Sequence, residues 1–122
     1  LRADHKKLLA HWLSRRLNRP VAPPDLSADG YQLLGGRLVA AQRGPAALFV
    51  YQNDRGIRLI VYVRPMKAPE TMPITLIESP DDVDGCAWID HGVGYTLLAP
   101  DETYPQLLRL SKRVRAQAHA LD

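Results

Sequence analysis

Two apolar runs, Ala46 to Gln52 and Ile57 to Arg64, flank the polar break Asn53-Asp54-Arg55-Gly56, and this arrangement constrains the fold more than any other feature of the chain. Both runs are rich in β-branched and aromatic residues, and the glycine of the break can take the positive φ that a tight connection needs. The pair predicts an antiparallel hairpin. Alternation along it puts Leu48 and Val50 on one face and Phe49 and Tyr51 on the other, and sets Leu59, Val61 and Val63 opposite Ile60 and Tyr62. A sheet apolar on both sides must be covered twice. Either two helices cover both faces, or a second protein chain closes one of them.

The flanking sequence extends the sheet. Tyr31 to Ala41 reads as a strand whose Gly35-Gly36 pair fits a bulge or a close approach of another backbone, and Arg43-Gly44-Pro45 turns it into the hairpin. Thr71 to Glu78 is interrupted by Pro73 and belongs at a sheet edge. Cys86 to His91 and Tyr95 to Leu98 form a second hairpin across His91-Gly92-Val93-Gly94. At the N-terminus Leu8, Leu9, Trp12, Leu13 and Leu17 recur at helical spacing, which predicts an amphipathic helix over about 3–19 that stops before Pro20. Leu107, Leu110, Val114 and Leu121 mark a second helix over about 103–120, with Asp101, Glu102 and Thr103 as capping residues. The prediction is one α+β domain over 1–122, with an antiparallel meander sheet of about five or six strands across 31–98 flanked by the two helices.

With 122 residues, 46% hydrophobic and 24% charged, the chain has the composition of a folded single domain. A formal net charge of +3 is a weak nucleic-acid signal, so no nucleic-acid partner is expected. Cys86 is the one cysteine, which leaves packing rather than a disulfide to hold the fold. No run reaches the roughly 18 consecutive apolar residues of a membrane-spanning helix. The chain begins at Leu1 rather than Met, which suggests processing or a longer parent protein.

Reactive constellations are sparse. Cys86 and Asp90 share a strand face that His91 does not, so strand alternation predicts no metal site there, and no cofactor is expected. His5 and His11 fall on different sides of the first helix. Asp81, Asp82 and Asp84 lack the following bidentate Glu of a calcium loop and read as a solvated acidic run. Ser14, Ser27, Ser79 and Ser111 have no nucleophile-elbow context, and Gly35-Gly36-Arg37 lacks the phosphate-loop pattern. A hydrolase using His91 with Asp90 would need adjacent strand residues to converge, and such residues point apart. No enzyme is expected.

Read in order, Trp12-Leu13, Ala22-Pro23-Pro24-Asp25-Leu26-Ser27 and Gly30-Tyr31-Gln32-Leu33-Leu34-Gly35-Gly36-Arg37-Leu38 resemble the outer domain of transmembrane anti-sigma factors that restrain extracytoplasmic-function sigma factors. The likeness continues through Gly44-Pro45-Ala46-Ala47, Val50-Tyr51-Gln52, Gly56-Ile57-Arg58-Leu59, Val61-Tyr62-Val63-Arg64, Trp88 through Tyr95, and Leu107 to Val114. The resemblance implies a periplasmic sensor on the bacterial inner membrane. It implies an upstream membrane helix, and a cytoplasmic segment, also outside this sequence, that binds a sigma factor. Transcription would then be controlled by release of that sigma factor, a transition between two states of different partner affinity. Recognition of a second copy or of a periplasmic signalling protein is assigned to Phe49, Tyr51, Ile60 and Tyr62. The alternative is a small-molecule-binding periplasmic domain with a pocket between sheet and helix lined by Trp88 and Tyr95.

Overall fold

The computed structural model describes residues 5–41, 44–66, 71–79 and 82–121. Helix α1 (Lys6–Leu17) is followed by an extended linker, a short 3₁₀ turn at Ser27–Asp29, and six strands: β1 (Gln32–Ala41), β2 (Gly44–Gln52), β3 (Arg58–Pro65), β4 (Met72–Ser79), β5 (Asp82–Asp90) and β6 (Val93–Leu98). Helix α2 (Tyr104–His119) follows the last strand. The fold is α+β, with a six-stranded antiparallel meander sheet and a helix from each end of the chain.

In space the strands run β1-β2-β3-β6-β5-β4. Two three-stranded meanders therefore lie side by side, joined where β3 pairs with β6. Strand β4, which carries Pro73, lies at an edge as its proline requires. The β2–β3 hairpin is closed by Asn53, whose side-chain oxygen accepts from the backbone N–H groups of Arg55 at 3.0 Å and Ile57 at 2.9 Å, while Gly56 takes φ +78°.

A bulge at Leu33/Gly35 interrupts the β1–β2 register. Beside it, Gly36 admits side chains rather than backbone: a Cβ there would sit 2.8 Å from Phe49 Cδ1 and 3.0 Å from Leu9 Cδ2. Gly85 has a harder constraint, because a Cβ there would lie 1.9 Å from the carbonyl oxygen of Leu97.

Both helices pack on the same face of the sheet. Leu9, Leu13 and Leu17 of α1 and Leu107, Leu110 and Val114 of α2 join one core with Phe49, Tyr51, Leu59, Val61, Trp88 and Leu97. Of the two covering schemes open to the sequence, the one with a helix on each face is thereby excluded.

The ends of α1 and α2 differ from their predicted chemistry. α1 stops two residues early, because Asn18 turns left-handed at φ 54° and the chain folds back, with Arg19 N–H donating to the Ser14 carbonyl at 3.2 Å. Thr103 occupies the N-cap of α2 without a side-chain hydrogen bond. Glu102 is used instead by Tyr31, whose hydroxyl donates to its carboxylate at 2.5 Å.

The linker is fastened along its length. Ser14 Oγ exchanges two 2.9 Å hydrogen bonds with the backbone of Val21, and Gln117 of α2 binds both the N–H and the carbonyl of Asp25. Arg113 of α2 donates to Asp29 at 2.6 Å.

Candidate interaction surface

Strand pairing decides which side chains share a face. Leu48 stands opposite Tyr62, and Val50 opposite Ile60. Ile60 in turn faces Leu98, and Tyr62 faces Thr96. On β5, Ala87 continues this row beside Thr96. No described helix packs on this side, and Leu48, Val50, Ile60, Tyr62 and Leu98 are each part-buried by neighbouring strand residues such as Arg37 and Thr96. The result is a contiguous apolar band across the three central strands. A monomer gains by covering such a surface, which is why patches of this kind mark contact with another molecule.

Beside the band the surface dips. Gly94 of β6 has no side chain, and Tyr62, Arg64, Met66, Ile89 and Thr96 surround a depression of about 190 Å³. Tyr62 and Arg64, residue types enriched at protein contacts, frame this recess.

The four residues assigned to recognition separate in the structure. Ile60 and Tyr62 lie in the uncovered band. Phe49 and Tyr51 are 0% exposed and lie beneath the helices, where neither can touch a partner. The register explains the correction: Phe49 pairs with Val61 and Tyr51 with Leu59, so these aromatics belong to the face opposite Ile60 and Tyr62. Leu48, Val50 and Leu98 take their place in the band, and alternation combined with the hairpin register is the signal that finds Leu48 and Val50.

Trp88 and Tyr95 stack with ring centroids 5.3 Å apart and planes 10° from parallel. They form a cross-strand pair on the helix side, with Trp88 only 1% exposed. Both residues border the depression of about 190 Å³ beside the band rather than a pocket between sheet and helix; on the helix side, a cavity of about 60 Å³ opens between the linker, α2, Val63 and Tyr95, and Trp88 does not line it. That volume is far below the roughly 300–1,000 Å³ of small-molecule pockets.

Cys86 is fully buried in the core. Ser14 is engaged with Val21, and Ser111 is buried on the inner side of α2. The acidic run of Asp81, Asp82 and Asp84 lies partly outside the described residues. The expectation that Asp90 and His91 point apart is corrected. His91 is no longer in the strand but is the first residue of a tight turn, and its Nδ1 lies 3.1 Å from Asp90 Oδ1.

No helix among the described residues is long and apolar enough to cross a membrane. Neither a protein-family model, a curated protein nor a solved structure matches this chain.

Proposed function

We propose that this chain is a non-enzymatic sensing domain that acts by protein contact, as the periplasmic part of a membrane-bound anti-sigma factor. The observation that carries the recognition role is the uncovered apolar band of Leu48, Val50, Ile60, Tyr62 and Leu98 on a sheet whose two helices both lie on the other side. The ordered sequence likeness from Trp12-Leu13 to Val114 supplies the regulatory context.

In this reading the helix-covered face is the structural half of the domain and the bare face is the receiving half. Docking of a second protein chain on the band buries apolar area that the free domain leaves wet, and that differential gain shifts the domain between two states. A membrane helix and a sigma-binding segment, both beyond this sequence, carry the shift to transcription.

The test is genetic. Deleting the gene that encodes this chain is expected to raise transcription from one set of sigma-dependent promoters, measured by RNA sequencing against the parent strain. An unchanged sigma-dependent transcript profile, with or without envelope stress, contradicts the anti-sigma reading.

A further inference from the structure

We infer that Asp90, His91 and His119 form a binding site for a divalent transition-metal ion of the zinc, nickel or copper class. One ligand atom from each of the three residues lies within 4.8 Å of the other two. The site lies at the end of the β5–β6 hairpin, with Asp90 on the helix side of the sheet.

The backbone builds the site in three steps. β5 and β6 are joined by His91-Gly92 alone, with φ +48° and +81°, the two positive values of a type I′ hairpin turn. Histidine is among the few side chains enriched in left-handed geometry. Leaving the strand there frees His91 from strict alternation, so its imidazole reaches the Asp90 carboxylate. Asp90 shares its strand face with Trp88 and therefore points toward the helices. The last turn of α2 delivers His119, whose Nε2 meets Asp90 Oδ2.

The backbone of the turn is held from three sides. Met66 N–H donates to the Gly92 carbonyl at 2.7 Å, Arg19 to the His91 carbonyl at 3.3 Å, and the His91 N–H to Thr71 Oγ1 at 3.5 Å. The Asp90 side chain is only 12% exposed, whereas the His91 and His119 side chains are 77% and 52% exposed. The carboxylate is thus a sheltered anchor, and the imidazoles form an open rim accessible to an ion from solvent.

The donor set selects the ion. Two imidazoles and one carboxylate suit late first-row divalent metals rather than calcium or magnesium, which take oxygen ligands. Metal–ligand bonds of about 2.0–2.1 Å place tetrahedral donors roughly 3.3 Å apart; Asp90 and His91 stand at 3.1 Å, while His119, now in direct contact with the other carboxylate oxygen, has to draw back for an ion to enter. An entering ion takes the carboxylate and one ring nitrogen of each imidazole as its ligands. Water completes the coordination. Lys112 and Arg115 border the depression that Asp90 and His119 line, and their charges weaken the attraction for a cation. The bound ion ties the end of α2 to the hairpin turn.

The experiment is calorimetric titration of the untagged, metal-stripped chain with zinc chloride. Saturable binding of one zinc ion per chain is expected. His119→Ala and His91→Ala are expected to weaken it by about tenfold or more. Both histidines are exposed, and circular dichroism checks that the variants keep the wild-type fold. Absence of saturable binding by the wild-type chain overturns the inference. So does binding that persists undiminished in both variants, because the ion is then held elsewhere, with His5 and His11 of α1 as the remaining imidazoles.

Discussion

The hydroxyl of Tyr51 donates a 2.6 Å hydrogen bond to the carbonyl oxygen of Pro24, inside the core. One contact thereby joins the central strand β2 to the linker that leads from α1 into the sheet. The linker lacks regular structure, and its buried carbonyl has to be satisfied by a side chain.

Replacing Tyr51 with Phe leaves that carbonyl without its donor while preserving the ring. Stability is expected to fall by about 1–3 kcal/mol, read from the denaturant midpoint at neutral pH. A wild-type midpoint would show that water satisfies Pro24 equally well.

The same hydroxyl makes the fold sensitive to alkali. Burial first, and the nearby Asp25 charge second, hold the Tyr51 pKa above the ordinary value of 10.0. Tyr31 is shifted in the same direction by burial and by its hydrogen bond to Glu102. The unfolded chain loses these protons near pH 10 while the folded chain retains them, so the stability they contribute is fully present below pH 10 and declines as pH rises beyond it. The slope for Tyr51 approaches about 1.4 kcal/mol per pH unit. Denaturation curves taken at successive pH values above 9 or so are expected to show this decline in the wild type and a shallower one in Tyr51→Phe.

Two glycines separate a soft steric limit from a hard one. In Gly36→Ala the new methyl meets the movable ends of Phe49 and Leu9, and a loss of about 1–3 kcal/mol is expected. In Gly85→Ala it meets the Leu97 carbonyl within the paired β6 strand, where nothing flexible can yield. That variant is expected to lose cooperative thermal unfolding, whereas Gly36→Ala retains it at a lower midpoint.

Helix α1 shows the same contrast between its two sides. Leu13 is 0% exposed and Leu8 is 55% exposed. Leu13→Ala is expected to destabilise by about 2–5 kcal/mol, and Leu8→Ala by no more than about 0.5 kcal/mol. Equal losses by chemical denaturation would show that α1 is not docked through its Leu9, Leu13 and Leu17 stripe.

Much of the architecture is written in local chemistry. Asn53 through Gly56 and the alternation around them specify a hairpin whatever surrounds it, and Pro73 forces its strand to an edge. What local patterns do not specify is which face of a two-sided apolar sheet the helices choose. That choice depends on long-range complementarity, such as the space at Gly36 that admits Phe49 and Leu9. Grouping Phe49 and Tyr51 with Ile60 and Tyr62 failed for a related reason, since faces are shared across a register and the register sets Val50 against Ile60. At Asp90 and His91 the period of two ends one residue earlier than the residue types suggest, because His91 lies in a turn where φ is positive. Nothing local marks His119, because its partner Asp90 lies across the fold, at the end of another element.

The central claim is that the bare band centred on Ile60 and Tyr62 receives the signal. It is tested most directly by placing Tyr62→Glu and Ile60→Asp in the gene and reading a sigma-dependent reporter with and without envelope stress, with Arg109→Glu on the exposed side of α2 as control. Both band variants are expected to accumulate as folded protein and to abolish the difference between the two conditions, while the control responds like the wild type. A full wild-type response from the folded Tyr62→Glu and Ile60→Asp proteins would contradict the account.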